Sequence, residues 1–356
     1  MNKSQQAQRG VSLVEVLITL AIGLIISVGA IAMVISNRQS YRSTEALSRI
    51  QESTRVAFEI MSRDLRATGV NACNGAQGGL RVLNVLSSPT ANWWSDWTGG
   101  IRGFENTTAS LAATIGTGTQ QRVSGSDLVE VMHAGTSALV VRAHNASAVA
   151  VEIGGLTVPG HGLLLEQSHT LAAGDLVLVC DFEDTSIFQV SGVDNTTHAI
   201  EHDVVGGKTP GNCASGLAFR SKADACNSGG GTNKVFPPGA QLMRLEAAAW
   251  YVGYNGRTGN TSSPTSLYRV GIERTAAGSA QPVVEEIVEG VRDMQIRYMV
   301  SGTYVTAGSV TDWSQVTGIE ITLTIDAPDA GTSTASSSAR LSRTLTHVVN
   351  LRNRVS

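Results

Sequence analysis

The stretch RGVSLVEVLITLAIGLIISVGAIAMVI, residues 9–35, decides how the rest of the chain is read. From Val16 to Ile35 no residue carries a charge. About 20 such residues are what a helix needs to cross a ~30 Å hydrocarbon core. One step before that run stands Glu15. An ionisable side chain at membrane depth costs roughly 2.5–3.5 kcal/mol on insertion scales, and such a group normally faces a partner. Two ordinary readings leave Glu15 without one. A secretory signal peptide accounts for Lys3, Arg9 and the apolar run, with GAIA (29–32) as a small-residue cleavage site, but its apolar region is only about 7–15 residues long. A plain single-span anchor accounts for the length alone. Arg38, Arg42 and Arg49 beyond the span offset Lys3 and Arg9 before it, so charge counting does not orient the segment.

The apolar run passes into an amphipathic one without a proline. Leu47, Ile50, Thr54, Ala57, Met61 and Leu65 recur at steps of three and four, which marks one face of a helix. Glu45 with Arg49, and Glu59 with Arg63, are i,i+4 pairs for the wet face. Gly69 is placed as a C′ stop. One helix from Val11 to Thr68 would be about 85 Å long at 1.5 Å per residue. A span followed by a separate surface helix is the alternative.

After residue 69 the chain changes character. Glycine is abundant (38) and proline sparse (8) in the 356 residues, and Ser, Thr and Asn are dense, a mix that favours short strands and turns. Expected strands are 127–133, 138–144, 175–182, 186–193, 245–254, 266–274, 292–300, 318–326 and 343–352. Residues 212–234, 255–265 and 327–339 are loops by composition. EEIVEGVRDMQ (285–295) is expected to be a short helix or a turn. With a net charge of −3, 15% charged residues and no polybasic arm, nothing suggests a nucleic-acid partner, and none is expected. The four cysteines, Cys73, Cys180, Cys213 and Cys226, allow three pairings. The short loop between Cys213 and Cys226 favours that pair, leaving Cys73 for Cys180.

Glu15 acquires a purpose from a resemblance. The polar leader ending in Gly10, the glutamate and the uncharged span together resemble the class III signal of type IV pilins and type II secretion pseudopilins. The resemblance implies cleavage after Gly10 by a membrane peptidase and N-methylation of Val11. Glu15 is then the fifth residue of the mature chain, where the family carries its glutamate. Cleavage creates a cationic α-amine in the bilayer interface. A neighbouring subunit's carboxylate can pair with it, and in low dielectric an unpaired charge is expensive. Two features depart from the usual pattern: Val11 stands where phenylalanine is common, and the span has Gly23 and Gly29 but no proline.

MSRDLRATGVNAC (61–73), GDLVLVCDFEDTSIFQVSGV (174–193), LYRVGIE (267–273), EEIVEGVRDMQIRY (285–298) and LTHVVNLRNR (345–354) together resemble the PilW family of type IV pilus minor pilins. That resemblance implies an α+β, pilin-like fold, a long N-terminal helix packed on a β-rich head. It divides the chain into a cleaved leader (1–10), a stalk helix (11–68, its transmembrane half 11–36) and a periplasmic or extracellular head (69–356). It implies a single-pass protein of the bacterial inner membrane that later joins the pilus. The implied role is in the priming or tip complex, with other minor pilins, the major pilin, a tip adhesin and the prepilin peptidase as partners, with no catalysis and no cofactor. A type II secretion minor pseudopilin is the nearest alternative. Size agrees with a minor subunit, because a bulky head with long loops is easier to seat at a filament's end than in its repeat.

Four other stretches carry the residues of competing chemistries. HAIEH (198–202) fits the inverted zinc-protease pattern H-x-x-E-H, which needs both histidines on one helical face and would make a membrane-anchored zinc hydrolase. Its surroundings alternate like a strand, on which His198 and His202 lie some 13 Å apart, too far for one metal. VVGGKTPG (204–211) lacks the first glycine and the helix of a P-loop. The acidic DFEDTS (181–186) has the oxygens for calcium without EF-hand spacing. NWWSDW (92–97) is either a recognition patch or a loop packed on the head. A secreted binding protein is the remaining alternative class.

Overall fold

The computed structural model describes residues 12–69, 73, 81–97, 99–217, 234–259, 261–333 and 339–351. Its N-terminal part is one helix, α1, Leu13–Ala67, of 55 residues, about 80 Å long at 1.5 Å per residue. The helix is unbroken, so the apolar and amphipathic halves share one axis, as the sequence leads one to expect. Ser12 to Arg38 are exposed throughout.

The second half of α1 lies on the head. Ala46, Ile50, Thr54, Ala57, Met61 and Leu65 form the buried seam. Ala46 leads it, not Leu47, which is half-buried. Counting back in fours from Thr54 gives 50 and 46, so the smaller residue holds the phase. The Glu45–Arg49 pair closes at 2.8 Å, whereas no ion pair joins Glu59 to Arg63 among the described residues. At the C-terminal end Thr68 N–H bonds Leu65 O at 3.2 Å, and Gly69 turns the chain at φ +70°. A side chain there would be strained, and Gly100 packs against it so closely that a Cβ on Gly100 would fall 2.8 Å from the Gly69 Cα. Gly69 N–H also donates to Met132 O at 2.9 Å, tying the helix end to the sheet.

Eighteen strands follow among the described residues. The first are β1 Arg81–Asn84, β2 Ile101–Phe104, β3 Leu128–Ala134, β4 Leu139–Asn145, β5 Val151–Ile153 and β6 Leu156–Val158. Next come β7 Gly162–Leu165, β8 Leu176–Cys180, β9 Asp184–Gln189, β10 Gly192–Asp194, β11 Ala199–Glu201 and β12 Gln241–Tyr254. The last are β13 Thr265–Arg274, β14 Ala280–Glu289, β15 Val291–Val300, β16 Thr303–Val305, β17 Val316–Asp326 and β18 Ser342–Asn350.

β12 organises the large sheet. Its first residues pair with β8 and β4, and the rest pair with β3 on one side and β13 on the other. The pleat sends successive side chains to opposite faces. Ala248, Trp250 and Val252 therefore enter the core that holds α1, while Ala247, Ala249 and Tyr251 enter a second core behind the sheet. The smaller sheet, ordered β16-β15-β17-β18, closes the first core with Ile296, Tyr298, Ile321 and Leu323. Pairing is antiparallel except for β1 with β9. The architecture is the expected α+β one, a long apolar-to-amphipathic helix followed by a β-rich head.

EEIVEGVRDMQ is a correction. It is neither helix nor simple turn but the end of β14, then Gly290, then the start of β15. Ile287 is an extra residue in the β14 ladder, since Leu267 pairs with Val288 and Tyr268 with Glu286. The bulge interrupts the period-two alternation at Ile287, and because β14 is an edge strand paired only with β13, Glu285 and Glu286 are both exposed, which imitates a helical pattern. Gly290, at φ +92°, carries the chain from one sheet to the other with Asp326 O close behind it.

Candidate functional site: the exposed span and its joint to the head

From Ser12 to Ile35 the exposed run offers one carboxylate on an otherwise uncharged surface. Glu15 lies in the first helical turn, is exposed, and makes no ion pair within the described residues. The hydroxyls of the span are satisfied by the helix itself: Thr19 Oγ1 donates to Val16 O at 2.9 Å and Ser27 Oγ to Gly23 O at 2.7 Å. Glu15 is thus the only strongly polar group between Ser12 and Ile35 that the helix leaves without a partner. Gly10 and Val11, the expected cleavage and methylation positions, lie outside the described residues.

The joint between helix and head rests on a buried acid. Asp64 is 4% exposed, accepts from Arg269 Nε at 2.7 Å, and lies 3.2 Å from Trp250 Nε1, which donates to it. Arg269 continues to Glu285 at 3.7 Å. A buried charge with two donors resists any slide or rotation of α1, because displacement strands it. Sequence reasoning passed over Asp64, although it left a trace. It is eighteen residues, five turns, from Ala46, so it shares Ala46's angular position at one edge of the apolar seam. Further toward the span, Gln39 Nε2 donates to Gly331 O (3.0 Å) and Ser43 Oγ to Thr332 O (2.7 Å). Arg49 reaches Asp329 at 3.6 Å.

Disulfides brace the head. Cys73, just past α1, is bonded to Cys180 at the end of β8, with Cα atoms 5.9 Å apart and a sequence separation of 107. Cys213 is itself disulfide-bonded. Cys226, its expected partner, lies outside the described residues.

The competing sites come out differently from their motifs. His198 sits in a turn at φ +59°, and His202 lies one residue past β11, so they share neither a helix nor a strand. The strand expected there is broken by that turn. His202 meets His144 of β4, Nε2 to Nε2, at 3.1 Å. The protons on this pair follow from its neighbours. Phe236 N–H donates to His144 Nδ1 (2.9 Å), so the His144 proton is on Nε2 and points at His202. His202 Nδ1–H donates to Ser215 O (2.8 Å), leaving its Nε2 free to accept. Both rings are neutral, and burial holds His144 down at about 4 and His202 at about 3. A protonated Nε2 on His144 is no metal ligand, and no group of three or more metal-binding side chains occurs among the described residues.

At DFEDTS the cation is already supplied. Lys234 Nζ lies 2.8 Å from Asp181, 3.3 Å from Glu183 and 3.3 Å from Asp184. Burial pushes the Asp181 carboxyl up, but Lys234 and the amides of Asp184 and Glu183 outweigh it and hold it below the ordinary carboxylate range. Lys234 is fifty residues away in sequence, which is why the motif alone suggested calcium. Trp93 and Trp94 are buried, 3% and 7% exposed, packed edge to face with centroids 5.9 Å apart. They are core and not a recognition patch. VVGGKTPG is a turn with Gly207 and Gly211 at positive φ, and residues 212–217 after it are not helical.

Among known families, residues 5–35 match the prokaryotic N-terminal methylation motif. The match spans Gly10, Val11, Glu15 and the whole apolar run. The chain therefore carries a prepilin-type signal followed by a helix long and apolar enough to cross a membrane. No curated protein and no solved structure matches the chain.

Proposed function

We propose that the chain is a minor pilin of the PilW type, which acts by assembly in the complex that primes a type IV pilus. The observation that carries this reading is the prepilin-type signal at the head of one continuous helix that is bare for its first half and bolted to a β-rich head for its second. Prepilin peptidase cuts after Gly10 and the new amine of Val11 is methylated. Glu15 receives the N-terminal amine of a neighbouring subunit, which supplies the partner missing within the chain. The bare span packs with the spans of other pilins, and the head, outside the cytoplasm, docks with other minor pilins or a tip adhesin. Chemistry at a catalytic centre has no part in this.

Complementation of a deletion strain tests the proposal. Wild type should restore surface pili, and Glu15→Ala should be processed normally yet fail to restore them. Full piliation by Glu15→Ala would refute the pairing role. A deletion that abolishes type II secretion and spares pili would move the chain to the pseudopilins.

A further inference from the structure

Resting on the reading of α1 as a membrane span, the structure also places the head relative to the lipid surface. The uncharged run ends at Ile35, and among the described residues the first hydrogen bonds between helix and head are at Gln39 and Ser43, which hold the backbone at Gly331, Thr332 and Ser333. Along an unbroken helix these two residues are about 6 and 12 Å beyond Ile35. A headgroup layer is about 5–8 Å thick on each side of the hydrocarbon. The 331–333 loop therefore stands at the outer edge of the headgroups, with no spacer between membrane and head.

Arg38, Tyr41 and Arg42 occupy the same depth on a neighbouring face of the helix. All three are exposed, Tyr41 by 71%. Arg49, two turns further on, is engaged by Glu45 and Asp329, but Arg38 and Arg42 have no hydrogen bond or ion pair within the described residues. Two unpaired guanidinium groups around a tyrosine, just beyond a span, match what a phospholipid surface offers: phosphate oxygens for the forks and an interface for the phenol.

We propose that Arg38, Tyr41 and Arg42 form an interfacial clamp that binds the phosphates of anionic phospholipids and seats the head flush on the membrane before assembly. Leaving the membrane for a filament then requires release of these lipids as well as extraction of the span.

The test uses the full chain incorporated into nanodiscs of phosphatidylcholine with a minority of phosphatidylglycerol, measuring by mass spectrometry the phosphatidylglycerol enriched around the protein. Each arginine near the surface should contribute about fivefold to local anionic-lipid preference at low salt. Wild type should enrich phosphatidylglycerol, and the double variant Arg38→Gln/Arg42→Gln should lose most of that enrichment. Arg38→Lys/Arg42→Lys should keep part of it. Arg55→Gln/Arg63→Gln, which removes two exposed arginines from higher on the stalk, should leave it unchanged. Equal enrichment in wild type and the Arg38/Arg42 double glutamine variant would overturn the clamp, as would an equal loss from the Arg55/Arg63 variant. Failure of every variant and of wild type to incorporate would instead refute the membrane span.

Discussion

Replacing Asp64 by alanine should loosen the helix from the head more than its position near the end of α1 suggests. The carboxylate is 4% exposed and takes hydrogen bonds from Arg269 and Trp250. Its removal leaves a guanidinium in a setting where its side chain is only 23% exposed, and an indole N–H facing a void. Deleting one partner of a buried ion pair costs about 3–5 kcal/mol. Arg269 keeps Glu285 at 3.7 Å, which argues for the lower end, about 3 kcal/mol. Asp64→Asn keeps an acceptor and the shape, so about 1–2 kcal/mol is expected. Guanidinium denaturation of the detergent-solubilised full chain, followed by tryptophan fluorescence, measures both, since Trp250 sits at the joint. The decisive form is a double-mutant cycle with Arg269→Met, which removes the stranded charge. If the pair does what the geometry requires, the double variant should be more stable than Asp64→Ala alone, with a coupling above about 1.5 kcal/mol. Additive losses would refute the reasoning.

Two further outcomes follow from buried groups in the head. His144 and His202 sit below the ordinary histidine value of about 6.5 when folded, so the unfolded chain binds more protons between pH ~6.5 and ~4. Their contribution is complete above pH ~6.5 and is lost as pH falls through that window, at about 1.4 kcal/mol per pH unit for each ring, so urea midpoints should drop on acidification and His202→Gln should flatten the drop. An equally steep curve in that variant would exclude the pair as the source. Arg122 is fully buried and donates five hydrogen bonds to the carbonyls of Phe104, Asn106, Thr108 and Ser126. Arg122→Met should cost about 3–5 kcal/mol in denaturant titration, and a loss under about 1 kcal/mol would contradict the role given to those bonds.

The helix was legible because two signals agreed over its whole length: an uncharged run and then a seam at steps of three and four. Most of the long strands were legible for the same reason, each carrying several residues of alternation, but the ten-residue β14 was not. What was lost has local causes. β5, β6, β10 and β11 are three residues each, too short to show a period. Ile287 bulges out of its ladder and turned a strand into an apparent helix. His198 takes a left-handed turn that no histidine pattern announces. The site divides the same way. Glu15 is a local anomaly in an apolar run and can be found by reading. Asp64 betrays itself only by falling in the seam, and its partners lie 186 and 205 residues away. Lys234, which answers the acidic cluster, is likewise invisible to a local motif.

The claim on which the rest depends is that the chain is cut and modified at its signal. Intact-mass and N-terminal analysis of protein from cell membranes, with and without prepilin peptidase, tests it directly. The account predicts a mature chain that begins at N-methylated Val11 when the peptidase is present, and an intact leader when it is absent. A chain that begins near residue 33 in both strains would contradict it, because the glutamate and most of the span would then have been discarded as a signal peptide.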